Sequence, residues 1–170
     1  MYRAKAFGKG AYQIFSPEMY EQALERMKVE NSLRRAIERD ELLLYYQPII
    51  SLVSGEISGF EALIRWQHPE WGLVNPQDFI GIAEETGLII PIGKWVLQTA
   101  CAQMTRWEQY VQHPLFISVN LSMKQLYHPR LVEDVDAILQ STQVRCDLTL
   151  ELTESMMMRD VEAVKIILTQ

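Results

Sequence analysis

Ser58-Gly59-Phe60-Glu61-Ala62-Leu63-Ile64-Arg65-Trp66 alternates in polarity with period two, the signature of a β-strand. Phe60, Ala62, Ile64 and Trp66 fall on one wholly apolar face. Glu61, Leu63 and Arg65 fall on the other, where a carboxylate and a guanidinium begin roughly 13 Å apart at the rise of a strand. Taken alone, such a pair is equally the solvated face of an edge strand. Its neighbours on both sides decide what it means.

The flanking segments repeat strand and helix in turn. Glu41–Ser51 (ELLLYYQPIIS) reads as a strand with Pro48 near its end, followed by a turn at Val53–Glu56. After the Glu61 strand, His68–Gly72 reads as a loop. Asn75-Pro76-Gln77-Asp78 opens a helix ended near Gly87, with Asn75 as N-cap and Pro76 at the first helical position. Pro91–Tyr110 is a longer helix that buries Trp95, Val96, Ala100, Met104 and Trp107. Leu115–Ser122 is a strand with Phe116, Ser118, Asn120 and Ser122 on one face. A helix over about 130–140 leads to the strand Asp147–Thr153, where Thr149, Glu151 and Thr153 share a face. Asp160–Leu168 reads as a helix with Val161, Val164, Ile167 and Leu168 on one side.

Upstream, Met1–Phe7 reads as the end of a helix, broken by Gly8-Lys9-Gly10, with a short strand at Ala11–Phe15. The glycines lack the spacing of a phosphate-binding P-loop. Ser16-Pro17 then starts a helix that nothing interrupts before Arg39. Tyr20, Leu24 and Met27 form one apolar stripe on it, and Leu33, Ala36 and Ile37 a second. That division suits a linker packed on one body and then on another; a coiled coil would need a longer heptad pattern.

Composition narrows the function. The chain has 170 residues, 48% of them hydrophobic, and a net charge of −6. That charge argues against binding a DNA or RNA polymer, so an anionic ligand needs a local metal ion or arginine. No run is long enough to span a membrane, and the start has no hydrophobic signal region, so no membrane contact is expected within the chain. Cys101 and Cys146 match neither a zinc nor a thioredoxin spacing and suit a cytoplasmic setting. His68, His113 and His128 each precede a proline and form no zinc motif.

The order strand, helix, strand, helix is that of a parallel α/β fold. One aliphatic and one small or polar face per strand suits a closed barrel better than an open sheet covered on both sides. The Glu61-Ala62-Leu63 strand, with Ser118-Val119-Asn120-Leu121-Ser122 and Glu151-Leu152-Thr153-Glu154, resembles the EAL domain family of bacterial cyclic-di-GMP phosphodiesterases. The resemblance runs from about Leu33 onward. It implies a TIM-like (β/α)8 barrel with one antiparallel strand, of which the chain holds the N-terminal half. Residues 41–170 are about half the ~250 of a complete barrel, and the Asp-Asp-Phe-Gly-Thr-Gly segment and the later lysine of the family are not reached. Residues 1–15 resemble the end of a GGDEF (diguanylate cyclase) domain without its signature sequence. The expected organisation is therefore a GGDEF remnant at 1–15, a linker helix at 16–40 and half an EAL domain at 41–170.

Glu61, Asn120 and Glu151 stand on the polar faces of three strands. Two carboxylates and an amide oxygen are hard ligands suited to Mg²⁺ or Mn²⁺. Singly, Asn120 is as well read as a buried amide, and Glu151 as a solvated strand residue; their coincidence is what points to a metal. By resemblance, Glu61, Asn120 and Glu151 are metal ligands, Glu61 and Glu154 belong to the catalytic machinery, and Glu154 anchors a loop beside the metals and the dimer contact. Arg65 corresponds to a substrate-phosphate contact, with Gln47 and Leu63 lining the same pocket. The activity implied is two-metal hydrolysis of cyclic di-GMP to pGpG. The alternative is a degenerate EAL domain that binds the nucleotide or a protein without hydrolysing it. An unrelated metal-dependent barrel such as an aldolase is a third reading. Half a barrel is expected to associate as a homodimer or larger assembly and to be inactive by itself.

Overall fold

The computed structural model describes residues 16–111 and 113–152. The expected GGDEF remnant at 1–15, Glu154 and the helix at Asp160–Leu168 lie outside them. Helix α1 (Pro17–Ala36) starts where Ser16 Oγ accepts the Met19 N–H at 3.4 Å, with Pro17 in the first turn, where a missing N–H costs nothing. It ends three residues before Arg39, in a turn whose Asp40 has φ 54°. Leu33 and Ala36 are buried against the rest of the molecule, whereas Tyr20, Leu24 and Met27 are exposed. Of the two apolar stripes, the second is the one packed on this body.

Strand β1 (Leu42–Ile50) runs antiparallel to β2 (Ile57–His68), with Gln47 opposite Glu61 and Leu43 opposite Arg65. The stretch His68–Gly72, expected as a loop, instead continues β2 through His68 and turns back into β3 (Gly72–Val74). His68 Nδ1 makes that turn by accepting the N–H groups of Glu70 and Trp71, both at 3.2 Å, and Gly72 supplies the positive φ. Trp71 stacks on the His68 ring at 3.8 Å.

Helix α2 (Pro76–Thr86) closes at Gly87 in the left-handed region, and α3 (Ile89–Trp107) follows almost at once. It begins two residues ahead of Pro91, which the first turn tolerates. Ile92, Val96, Ala100 and Met104 are buried as one stripe, while Trp95 and Trp107 are only half-buried at its margin. Strand β4 (Phe116–Asn120), the short α4 (Met123–Leu126), α5 (Leu131–Thr142) and β5 (Asp147–Glu151) complete the described chain.

The strands lie in the order β1-β2-β4-β5, with β3 attached to β2. Strands β2, β4 and β5 are mutually parallel; Glu61 pairs with Ser118, and Asn120 with Glu151. Ala62, Trp66, Ile117 and Val119 turn to the helices and build the core with Leu33, Phe79, Ile92 and Met104. The opposite face carries Tyr45, Gln47, Glu61, Leu63, Arg65, Ser118, Asn120, Thr149 and Glu151. Helices on one face and polar groups on the other make a parallel arc, half of a TIM-like barrel, with β1 and β5 each paired on one side among the described residues.

Candidate functional site

The polar face is joined by hydrogen bonds where the last residues of β4 and β5 lie beside Glu61 of β2. Asn120 Nδ2 donates to Glu61 Oε1 at 2.8 Å, although the two residues are 59 apart in sequence. Ser118, fully buried between them, donates its Oγ–H to Glu151 Oε1. Glu61, Asn120 and Glu151 thus come together on one surface, as the alternation in their strands predicts. Ser118 is a member of the cluster that the sequence reading left among the small residues of its strand. Its signal was parity: it shares a face with Asn120 and pairs with Glu61.

The donor set fits a hard cation. With Nδ2 given to Glu61, Asn120 keeps Oδ1 for a metal, beside the oxygens of two carboxylates. Each carboxylate is held by a neighbouring side chain, the kind of support that fixes a ligand's orientation.

Arg65 stands four residues farther along β2, on the same face. Its Nη1 donates to the Ile64 carbonyl at 2.7 Å, and its guanidinium lies over the Tyr45 ring, 5.3 Å from the centroid. Where β2 runs on past the end of β4, a cleft of ≈ 260 Å³ opens, lined by Leu63, Arg65, Ile80, Val96, Asn120 and Gln125 among others. Gln47 is exposed and faces Glu61 across the β1–β2 ladder. The mouth is set by the segment after Asn120. Leu121 N–H donates to the Glu151 carbonyl at 2.9 Å, and Ser122 and Gln125 form a reciprocal capping box that starts α4. Lys124 Nζ then donates to the Glu84 carbonyl at 2.7 Å, tying α4 to the end of α2.

The thiols take no part. Burial pushes Cys101 up to about 11, and burial with the Glu108 carboxylate nearby pushes Cys146 up to about 12, so both stay protonated at neutral pH.

The EAL domain family profile matches residues 30–170. This chain belongs to the EAL domain family. The EAL chain is 43% identical to the bifunctional diguanylate cyclase/cyclic di-GMP phosphodiesterase MucR of Pseudomonas aeruginosa, aligning over 100% of this chain and 25% of MucR. It is 39% identical to the cyclic di-GMP phosphodiesterase PdeR of Escherichia coli, over 95% of this chain and 24% of PdeR. The chain therefore spans about a quarter of each relative's length. Among solved structures, the PaMucR phosphodiesterase in complex with c-di-GMP superposes with a TM-score of 0.80 at 44% identity, covering 84% of this chain and 58% of that one. The fold is accordingly of the EAL type, and the arc described above is part of that barrel.

Proposed function

We propose that this chain is the first half of the catalytic domain of a cyclic-di-GMP phosphodiesterase, cytoplasmic in setting, in which residues 41–170 begin the EAL barrel and residues 16–40 link it to a GGDEF domain ending at residues 1–15. The observation that carries the reading is the cluster of Glu61, Asn120 and Glu151 beside an arginine on three neighbouring parallel strands, with Asn120 and Glu151 at the carboxyl ends of theirs. That is where α/β barrels place their reactive groups.

Glu61, Asn120 and Glu151 would hold Mg²⁺ or Mn²⁺, which supplies Lewis acidity and a more acidic bound water for phosphodiester hydrolysis. Ser118 keeps the Glu151 carboxylate turned into the site, and the Asn120 amide does the same for Glu61. Arg65 meets a phosphate oxygen pair with its planar fork, and its separation from Glu61 suits a ligand with two phosphates. Leu63 and the apolar wall of the cleft exclude water beside that contact. Gln47 offers an amide across from Glu61, and the family resemblance assigns Glu154 to the catalytic machinery.

The test uses the complete domain carrying this segment. With Mn²⁺ or Mg²⁺ it should release pGpG from cyclic di-GMP, and Glu61→Gln should abolish turnover while lowering Mn²⁺ affinity in calorimetry. Tight nucleotide binding with no pGpG from the wild type would make it a receptor. Sugar-phosphate turnover instead would make it an unrelated barrel enzyme.

A further inference from the structure

Two adjacent tyrosines on β1 have opposite fates. Tyr46 turns to the helices, meets Trp107 edge-on with centroids 4.8 Å apart, and is half-buried in the core. Tyr45 turns to the polar face, opposite Leu63, and remains 49% exposed. An aromatic ring left that open gains little by burial, yet it lies under the Arg65 guanidinium at cation–π distance.

Arg65 takes part in none of the ion pairs among the described residues. A carboxylate partner would occupy its fork and neutralise its charge. The ring does neither: it meets the guanidinium carbon 5.3 Å from its centroid and offers no carboxylate oxygen to the N–H groups. Of the five donors, the Ile64 carbonyl takes one at 2.7 Å. These two contacts fix a long side chain that would otherwise lose rotamer freedom when a ligand orders it. An arginine held in place with most of its donors and all of its charge unspent is a preorganised anion receptor.

We propose that Tyr45 is a positioning residue, holding Arg65 in the orientation that receives a phosphate of the dinucleotide. This rests on the reading of Arg65 as the phosphate contact. Tyr45 acts through its ring face, so the hydroxyl is dispensable and the aromaticity is not. Leu43, the residue that pairs directly with Arg65, is aliphatic and cannot substitute for it.

Cyclic di-GMP would be titrated calorimetrically into the complete domain without divalent metal, for the wild type, Tyr45→Phe, Tyr45→Leu, Arg65→Gln and the Tyr45→Leu/Arg65→Gln pair. Tyr45→Phe should bind within about twofold of wild type, and Tyr45→Leu roughly tenfold more weakly. In the Arg65→Gln background, Tyr45→Leu should have no further effect, because the ring has nothing left to hold. Mn²⁺ affinity should be the same for wild type and Tyr45→Leu. An equal loss from Tyr45→Leu in both backgrounds would mean that the ring meets the ligand itself and would overturn the proposal. So would a Tyr45→Leu variant that binds like wild type while Arg65→Gln is impaired. If Arg65→Gln binds as tightly as wild type, the phosphate reading of Arg65 fails first and carries this one with it.

Discussion

At the scale of single residues, the site depends on groups that hold other groups. Ser118 is fully buried, and its one hydroxyl is spent on Glu151. Ser118→Ala should therefore lower Mn²⁺ affinity of the complete domain roughly tenfold in calorimetry, the usual scale of a lost supporting hydrogen bond at a metal ligand. Ser118→Thr should restore much of it. At Arg65, Lys keeps the charge but not the fork, so Arg65→Lys should weaken cyclic-di-GMP binding while Mn²⁺ affinity stays as in wild type. Glu61, Arg65, Asn120 and Glu151 were legible in the sequence because strand parity is strict: one residue of slip would have sent each to the helices. Ser118 and Tyr45 were not. A serine in a strand reads as filler and a tyrosine as core, until the partner across the sheet is known.

At the scale of elements, the strand–helix order was legible among the described residues, and the misreadings fell on the shortest pieces. A three-residue β3 has too few positions to show a period. The four-residue α4 is also too short for one, although Ser122-Met123-Lys124-Gln125 carries the spacing of a capping box. Two glycines separate structural necessity from chance. A Cβ on Gly59 would stand 2.6 Å from the Phe116 carbonyl oxygen, so β2 and β4 approach closely only because Gly59 has none. Gly59→Ala should destabilise the domain by about 1–3 kcal/mol in urea unfolding and loosen the Glu61–Asn120 pairing above it. Gly81, within α2, has open space where its Cβ would be. Gly81→Ala should instead stabilise by about 0.5–1 kcal/mol, which makes it the control.

For the molecule as a whole, three weak acids sit where water is scarce. Tyr46 is pushed up to about 12 by burial, beside Cys101 at about 11 and Cys146 at about 12. Unfolding returns each to its ordinary value, where it ionises sooner. Folding thus gains from all three below pH ~9 and loses that gain as pH climbs toward 12. Stability measured by urea midpoint should be level from pH 7 to 8.5 and fall steeply above, with Cys101→Ser/Cys146→Ser showing a shallower decline. Strands β1 and β5 each carry an edge left unpaired among the described residues, and the polar face is open. The 170-residue chain purified alone should therefore sediment as a dimer or larger species and release no pGpG; a monomer that turns over cyclic di-GMP would refute the half-barrel proposal. Sequence parity could foresee such an arc, but not how β2 outruns β4 to open the cleft, since strand length depends on the partners available.

The core cluster under α1 is also an optical device. Trp66 and Trp71 lie with ring centroids 5.9 Å apart at 78°, and Glu41 Oε2 accepts the Trp66 indole N–H at 3.0 Å. Leu33 belongs to the same packed cluster as Trp66. Indoles so near and so steeply inclined couple their transitions, and a carboxylate at one indole nitrogen tunes its emission. Lifting α1, as in Leu33→Asp, should red-shift the tryptophan fluorescence and flatten the near-ultraviolet circular dichroism. Movement of α1 against this packed cluster can be followed by light, without a label.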